Sequence, residues 1–302
     1  MPLDVAGEAE VRSVCAVLVN FWTNDLMHEC LRTLLDSAEG VRLQVVVVDN
    51  SQEAGLEATV HGLYPSATVI VSPQNVGFAQ ANNLAIGACG SQAILFLNPD
   101  VRMAGTAVRD LAGFLSQCPA AAAVGPRLVR PTGEMDRACR RSFPDPATAF
   151  YRLSGLGKLL PGTRFDRYNL GGLGDDRLHE IDSGSGACLM VRTSALGQIG
   201  GLDPDFFMYG EDLDLCYRLR RLGWKIYYQP SAEAVHLKGR SSMRATVAML
   251  REFHRSMWIF YRKHYYPDRP RLLSGLVWLG IWARYWLLRL RHAVTHDPRV
   301  SV

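Results

Sequence analysis

The feature that most constrains this chain is the regular alternation, over its first hundred residues, of short β-branched runs with helical patterns. Val14 to Val19 reads as a strand, Asn24 to Ser37 as a helix, and Val45 to Val48 as a buried strand ending on Asp49-Asn50. Thr68 to Val71 forms a third strand, and Phe78 to Cys89 a helix introduced by Asn75-Val76-Gly77. Ala93 to Leu97 is an apolar strand that runs straight into Asn98-Pro99-Asp100. Strands separated by helices in this way are the mark of βαβ units and a mostly parallel sheet. Polar residues collect directly after the strands, at the edge where open α/β sheets bind ligands.

With 302 residues, 48% hydrophobic and 21% charged, the chain can bury one large core, or that and part of a second. From Pro126 to Asp182 the pattern loosens: prolines stand at 126, 131, 144, 146 and 161, and glycines are paired at 171 and 172. A stretch of that length reads as an excursion over the site. Order resumes with a strand from Ser185 to Arg192 and a helix from Ser194 to Ile199, closed by Gly200-Gly201. The seven cysteines are scattered, odd in number and free of any C-x-x-C pair. They argue against a disulfide framework or a zinc cluster and fit a reducing cytoplasm. Met1 to Arg12 holds Asp4, Glu8 and Glu10 and has no apolar core of signal-peptide length, so export is not expected.

The net charge of +4 conceals an asymmetry, because from Leu237 onward there are 13 Lys and Arg against 3 Asp and Glu. Four of the six tryptophans lie in the same basic stretch. Trp278, Trp282 and Trp286 recur every four residues, while the uncharged run from Leu272 to Ala283 is only 12 residues, too short to span a bilayer. These features describe an amphipathic helix lying in the plane of an anionic membrane surface. The competing reading is a helix packed on the protein's own core or on a second copy in a homodimer. Nucleic-acid binding is not expected, since no recognised motif accompanies the basic residues and the tryptophans sit in an apolar setting.

Several polar groups could carry chemistry, each with a plainer reading beside it. Asp49 and Asn20 both follow strands, and Asp-Asn-Ser is ordinary turn chemistry. Asp100 sits behind a proline that stiffens the strand exit; a carboxylate fixed there can hold Mg²⁺ or Mn²⁺, although Asn-Pro-Asp is also a common turn. Asp212 precedes Leu215, Leu219 and Leu222 by three, seven and ten residues, which places it on the face those leucines bury. Acidic residues favoured by the helix dipole in the first turn account better for Asp214 and Glu211. His236 follows an apolar run, as core histidines do, but Lys238, Gly239, Arg240, Ser241 and Ser242 come directly after it and suit a diphosphate.

Taken together these segments are distinctive. Val47-Val48-Asp49-Asn50-Ser51, Asn75 to Ala79 with Asn82-Asn83, Leu97 to Asp100, Ser185 to Arg192, Gly200 to Asp203, Phe206 to Leu215, and His236 with Gly239 to Ser242 follow one another from about residue 14 to 242. In this order they resemble the inverting glycosyltransferases of family 2, and among them the bacterial rhamnosyltransferases that decorate lipid-linked sugars. The resemblance implies a GT-A fold: an α/β, Rossmann-like, mostly parallel central sheet flanked by helices, here followed by a basic amphipathic helical tail. The catalytic domain is expected over 1–242, with a nucleotide-binding half at about 12–125, an acceptor half at about 126–242, and the tail over 243–302.

The resemblance also implies roles. Asp49 faces the nucleotide base, with Asn20 and the turn bearing Asn75, Gly77 and Phe78 nearby. Asp100 and His236 hold Mg²⁺ or Mn²⁺, Asp212 is the general base, and Glu211 stands beside it as orienter or acceptor contact. Lys238, Arg240, Ser241 and Ser242 receive the diphosphate. Where many relatives carry Asp-x-Asp, this chain carries Asn98-Pro99-Asp100, so Asn98 is expected to contact substrate without supplying a second carboxylate. The implied donor is a nucleotide sugar, dTDP-L-rhamnose at best guess, and the acceptor a polyprenyl-diphosphate-linked sugar or glycan of the bacterial envelope. The implied location is cytoplasmic, on the inner face of the plasma membrane. A nucleotidyltransferase would need a Gly-rich basic loop after the first strand, where this chain has Asn20 to Asp25 without glycine or lysine. A non-catalytic sugar-nucleotide binder would lack the acidic helix start, which is intact here.

Overall fold

The computed structural model describes residues 10–145, 168, 170, 172–237 and 247–295. In chain order the first half contains β1 (Ser13–Asn20), α1 (Asn24–Ser37), β2 (Arg42–Asp49), α2 (Leu56–Leu63), β3 (Thr68–Val71), α3 (Phe78–Ile86) and β4 (Ala93–Leu97). Next come β5 (Val101–Met103), α4 (Ala107–Gln117), β6 (Ala121–Val129), a 3-10 turn at Arg137–Cys139, and β7 (His179–Ile181). The chain continues with β8 (Cys188–Arg192), α5 (Thr193–Ile199), α6 (Glu211–Arg221), β9 (Lys225–His236), α7 (Val247–His264) and α8 (Arg271–Thr295).

The strands form a single sheet in the order β3-β2-β1-β4-β8-β6-β9-β5, with β7 beside β9. The four strands β3, β2, β1 and β4 are mutually parallel, as the βαβ pattern predicts. β1, the C-terminal half of β2, and β4 are buried on both faces, which is why their sequences are unbroken apolar runs rather than alternating ones. β8 enters antiparallel between β4 and β6, and β5 runs antiparallel to β9. The β1–β2 register ends on Asn20 opposite Asp49, so both polar residues emerge level at one edge of the sheet.

Two boundaries differ from expectation for local reasons. α3 stops at Ile86, three residues before Cys89, because Gly87 and Ala88 turn the chain toward β4. The strand expected from Ser185 begins only at Cys188: Ser185–Cys188 is a turn closed by the Cys188 N–H on the Ser185 carbonyl at 3.1 Å. The cysteine pattern is also corrected, since Cys15 and Cys89 form a disulfide across 74 residues with Cα atoms 5.9 Å apart. Because α3 returns past β1 to enter the neighbouring β4, residues distant in sequence meet there, and sequence spacing cannot reveal it. Cys30, Cys118, Cys139, Cys188 and Cys216 are free thiols.

α7 is built into the protein rather than trailing from it. Its Ile259 and Phe260 bury Phe206 together with Phe143, Leu213 and Tyr217, and Ser256 Oγ donates to the Met208 carbonyl at 2.9 Å. α8 packs back on α7 through Ile281, Tyr285 and Ser274, the last bonded to Tyr261 Oη at 3.0 Å. Its opposite face presents Leu272, Leu276, Leu279, Trp286, Leu287 and Leu290 outward, beside Trp278. α8 therefore joins elements of both sequence readings: one side is packed on the protein, and the other is apolar and open. No helix among the described residues is long and apolar enough to cross a membrane.

Candidate active site

The exits of β1 and β2 form one polar corner. Asn20 Nδ2 donates to Asp49 Oδ1 at 3.2 Å, to Ser51 Oγ at 3.2 Å and to Glu53 Oε2 at 3.1 Å. Asp49 accepts from the Ser51 N–H at 3.1 Å and the Glu53 N–H at 2.8 Å, so its carboxylate organises the turn that follows β2. The turn-capping reading is thus correct as far as it goes, and the turn it shapes sits beside the exposed aromatics Phe21 and Trp22.

Asn50, which sequence reasoning passed over, connects this corner to the next turn. Its Nδ2 donates to Asn75 Oδ1 at 2.8 Å and its Oδ1 accepts the Val76 N–H at 3.0 Å. Asn75 Oδ1 also accepts the Gly77 N–H at 3.0 Å. Gly77 has φ +85°, and a Cβ there would lie 2.5 Å from the Phe207 carbonyl oxygen. The adjacent Phe78 N–H donates to that same oxygen at 2.7 Å, while the Phe78 ring packs on the core. A glycine is needed because two stretches of backbone touch. The contact ties the β1–β4 part of the sheet to the segment that leads into α6. Asn83 adds a second tie, donating to the Leu202 carbonyl at 2.7 Å and accepting its N–H at 2.9 Å.

β4 delivers Asp100 to the same edge, and the β5–β9 pairing places His236 opposite Val101, next to it. His236 Nε2 lies 3.5 Å from Asp100 Oδ1, and its Nδ1 lies 3.1 Å from Asp136 Oδ2. Burial acts to lower the His236 pKa, but the two carboxylates outweigh it and push the imidazole up to about 9. The two residues expected to hold a cation are therefore neighbours. Asn98 Oδ1 is a buried oxygen without a hydrogen-bond partner among the described residues. Among those residues no group of three or more His, Cys, Asp or Glu side chains is disposed to hold a metal by itself. Asp136 meets Nδ1, the ring nitrogen other than the one beside Asp100.

The acidic start of α6 adjoins this end of β4 through the Ser185–Cys188 turn. The Asn98 N–H donates to the Ala187 carbonyl at 2.9 Å, and the Gly186 N–H donates to Asp212 Oδ2 at 2.9 Å. Arg141 Nη2 donates to the same Asp212 oxygen at 2.7 Å. Leu215 and Leu219 are buried beneath Asp212 as expected, whereas Leu222, beyond the last turn, is exposed. Glu211 is buried, and its Oε2 has no partner among the described residues. Burial first, and then the neighbouring Asp212 charge, push the Glu211 carboxyl up to about 8.

Asp214 is no surface dipole residue. It is fully buried, pairing with Arg218 Nε at 2.6 Å and His264 Nε2 at 2.7 Å. Arg218 in turn donates to the Ile199 and Gly201 carbonyls at 2.8 and 2.9 Å, which locks the 199–201 turn to α6. Arg141, Asp136 and Asn50 are the residues sequence reading missed. The first two fall in the proline-rich stretch that carries no periodic signal. Lys238, Arg240, Ser241 and Ser242 lie outside the described residues.

A sheet with this topology, polar strand ends gathered at one edge, and an acidic helix start joined through the Ser185–Cys188 turn to the β4 exit are the features of a GT-A glycosyltransferase. Residues 12–254 match the family described as glycosyltransferase like family 2, and the chain belongs to it. It is 31% identical, over 72% of its length and 74% of the relative's, to N-acetylglucosaminyl-diphospho-decaprenol L-rhamnosyltransferase of Mycobacterium tuberculosis. Its fold is similar to the mannosyltransferase PcManGT from Pyrobaculum calidifontis, solved with GDP-Man and Mn²⁺ (TM-score 0.55, 14% identity, 98% of this chain and 79% of that one). It is likewise similar to GalNAc-T7 solved with UDP, GalNAc and Mn²⁺ (TM-score 0.55, 14% identity, 86% of this chain), of whose length it spans 50%.

Proposed function

We propose that the protein is an inverting, divalent-metal-dependent glycosyltransferase. In this reading it moves L-rhamnose from dTDP-L-rhamnose to a polyprenyl-diphosphate-linked sugar or glycan of the bacterial cell envelope. The observation that carries the reading is the placement of two chemistries on either side of the Ser185–Cys188 turn. Asp212, fixed by Arg141 and Gly186, stands on one side, and the Asp100–His236 pair stands near the β4 exit on the other. The identity of donor and acceptor draws its support from the mycobacterial relative, named for rhamnosyl transfer to a decaprenol-linked sugar.

A carboxylate oxygen and an imidazole nitrogen suit Mg²⁺ or Mn²⁺, and Asn98, two residues before Asp100, holds a further buried oxygen with no hydrogen-bond partner among the described residues. Asp100 and His236 would hold the cation, which when bound would offset the negative charge of the departing diphosphate. The acceptor hydroxyl attacks the anomeric carbon from the face opposite the diphosphate, and Asp212 takes its proton. A single displacement inverts the anomeric configuration and needs no covalent nucleophile. Glu211, whose carboxyl burial holds toward its protonated form, is suited to contact the acceptor beside the base. The turn shaped by Asn20, Asp49 and Asn50 receives the nucleotide base, with the Asn75–Phe78 turn beside it.

The open apolar face of α8, followed by Arg289 and Arg291, supports peripheral attachment to the anionic cytoplasmic leaflet, where a lipid-linked acceptor resides. The deciding experiment incubates purified protein with a panel of sugar nucleotides and lipid-linked acceptors and measures released nucleoside diphosphate. Turnover with dTDP-L-rhamnose above all other donors is the expected result. Preference for another donor would displace the rhamnose assignment, and no turnover with any donor would remove the catalytic reading.

A further inference from the structure

His236 is bounded on both ring nitrogens by carboxylates, and the two play different parts. Nε2 faces Asp100, while Nδ1 meets Asp136 Oδ2 at 3.1 Å. Asp136 comes from a separate part of the chain, 100 residues earlier, and is 2% exposed. Its carboxylate is held independently of the imidazole. Oδ1 accepts the Ala138 N–H at 3.1 Å, and the Asp136 N–H donates to the Leu128 carbonyl at 2.8 Å on β6. β6 pairs with β9, the strand that ends on His236, so the contact is built on the sheet itself.

An ionised carboxylate only accepts hydrogen bonds, so the Nδ1 contact requires a proton on Nδ1. In the neutral imidazole that a cation requires, the lone pair then falls on Nε2, the nitrogen beside Asp100. We propose that Asp136 is a positioning residue for the cation site, setting the tautomer and ring orientation of His236 so that Nε2 presents its lone pair next to Asp100. The inference rests on the reading of Asp100 and His236 as cation ligands. Outer partners of this kind typically alter metal affinity about 10–100-fold when removed. The plainer role, capping the Arg137–Cys139 turn through Oδ1, uses the other oxygen and can be separated by substitution.

Asp136→Asn makes that separation. The Asn oxygen can keep the Ala138 N–H, which leaves its NH₂ group facing Nδ1. An N–H donor there forces the imidazole proton onto Nε2 and removes the lone pair from the cation side. Mn²⁺ binding is measured by the EPR signal of the free ion in the presence of dTDP, beside thermal midpoints for each protein. The expected result is a Mn²⁺ dissociation constant raised about 10–100-fold in Asp136→Asn. Its thermal midpoint should stay close to wild type, transfer should recover at high Mn²⁺, and Asp136→Glu should regain part of the affinity. ¹⁵N spectra of the wild type loaded with Mg²⁺ and dTDP should show His236 protonated on Nδ1 and bare on Nε2, a readout that needs no variant to fold.

Wild-type affinity in Asp136→Asn, or a proton on Nε2 of the loaded wild type, overturns the positioning role and leaves Asp136 a turn cap. A wild type that binds no Mn²⁺ with dTDP overturns the cation reading itself, a separate and distinguishable failure.

Discussion

Arg141 Nη2 donates to Asp212 Oδ2 at 2.7 Å, although 71 residues separate the two. With the Gly186 N–H on the same oxygen, the pair aims the carboxylate proposed to take the acceptor proton. Asp212→Asn can keep both contacts through its amide oxygen yet cannot accept that proton. It should therefore fold and bind donor while transfer falls by about 10²–10⁴. Nucleoside diphosphate release, read beside donor affinity, checks this. If Glu211→Gln is the crippling change and Asp212→Asn stays near wild type, the base is Glu211.

The Glu211 carboxyl, pushed up to about 8 from an ordinary 4.5 by burial and then by the Asp212 charge, makes stability depend on pH. The unfolded chain ionises this group from about pH 4.5 upward while the folded protein keeps the proton. Stability is therefore fully present below 4.5 and is lost as pH rises toward about 8, above which both states are ionised. Glu211→Gln removes this dependence. Thermal midpoints measured across that range should show wild type losing ground to Glu211→Gln up to about 8 and running parallel above it. A constant gap at all pH values would contradict the burial account.

Chelation should abolish transfer if Asp100 and His236 hold the cation, and Asp100→Ala should weaken donor binding. The expected loss is in affinity for the intact sugar nucleotide, and free nucleoside should bind as before, because the cation would meet the diphosphate. Full activity of Asp100→Ala in excess chelator would remove the metal from the mechanism.

Gly77→Ala would place a methyl group 2.5 Å from the Phe207 carbonyl oxygen at a backbone φ of +85°. Strain of this kind costs about 1–3 kcal/mol, before any movement of Phe207. The thermal midpoint should fall by several degrees, and donor affinity should fall with it as the Asn75–Phe78 turn shifts. An unchanged midpoint would mean that the two turns part without cost and do not brace one another.

The outward face of α8 offers a test that leaves the α7 packing intact. Leu279→Asp with Leu287→Asp should keep the thermal midpoint, since both side chains are more than half exposed (57% and 68%). The same pair should sharply reduce co-sedimentation with anionic liposomes and use of lipid-linked acceptors. If liposome binding is unaltered and the protein instead falls from dimer to monomer, the face belongs to a second copy of this chain.

What was readable in the sequence is local. β1, β2 and β4 announce themselves as runs of β-branched and apolar residues, and α1, β3 and β4 have the expected boundaries because their signals lie within a few neighbouring residues. Asn20 and Asp49 are singled out by that route, each as the first polar residue after an apolar run, and Asp100 as the carboxylate of the Asn98-Pro99-Asp100 turn that follows one. Arg141 and Asp136 could not be: they lie in a stretch without periodicity, and their partners are 71 and 100 residues away. Asp214 misled for the same reason. A first-turn carboxylate satisfies the helix dipole in any sequence, and only the return of α7, bringing His264 to 2.7 Å, makes it a buried ion-paired residue.

By itself, then, the sequence determined the layered α/β class, the parallel half of the sheet and the polar residues at its edge. These follow from backbone periodicity and from the need to bury apolar strands on both faces. The resemblance brought Asp100 and His236 together, but the tertiary structure alone decided that His236 meets Asp136 and Asp212 meets Arg141. It also decided that Cys15 lies against Cys89, and that α7 seals the acidic helix while α8 keeps an open apolar face. Hydrogen bonds and ion pairs act over about 3 Å of space whatever the separation along the chain, so their partners are specified only once strand order and crossovers have brought distant segments together.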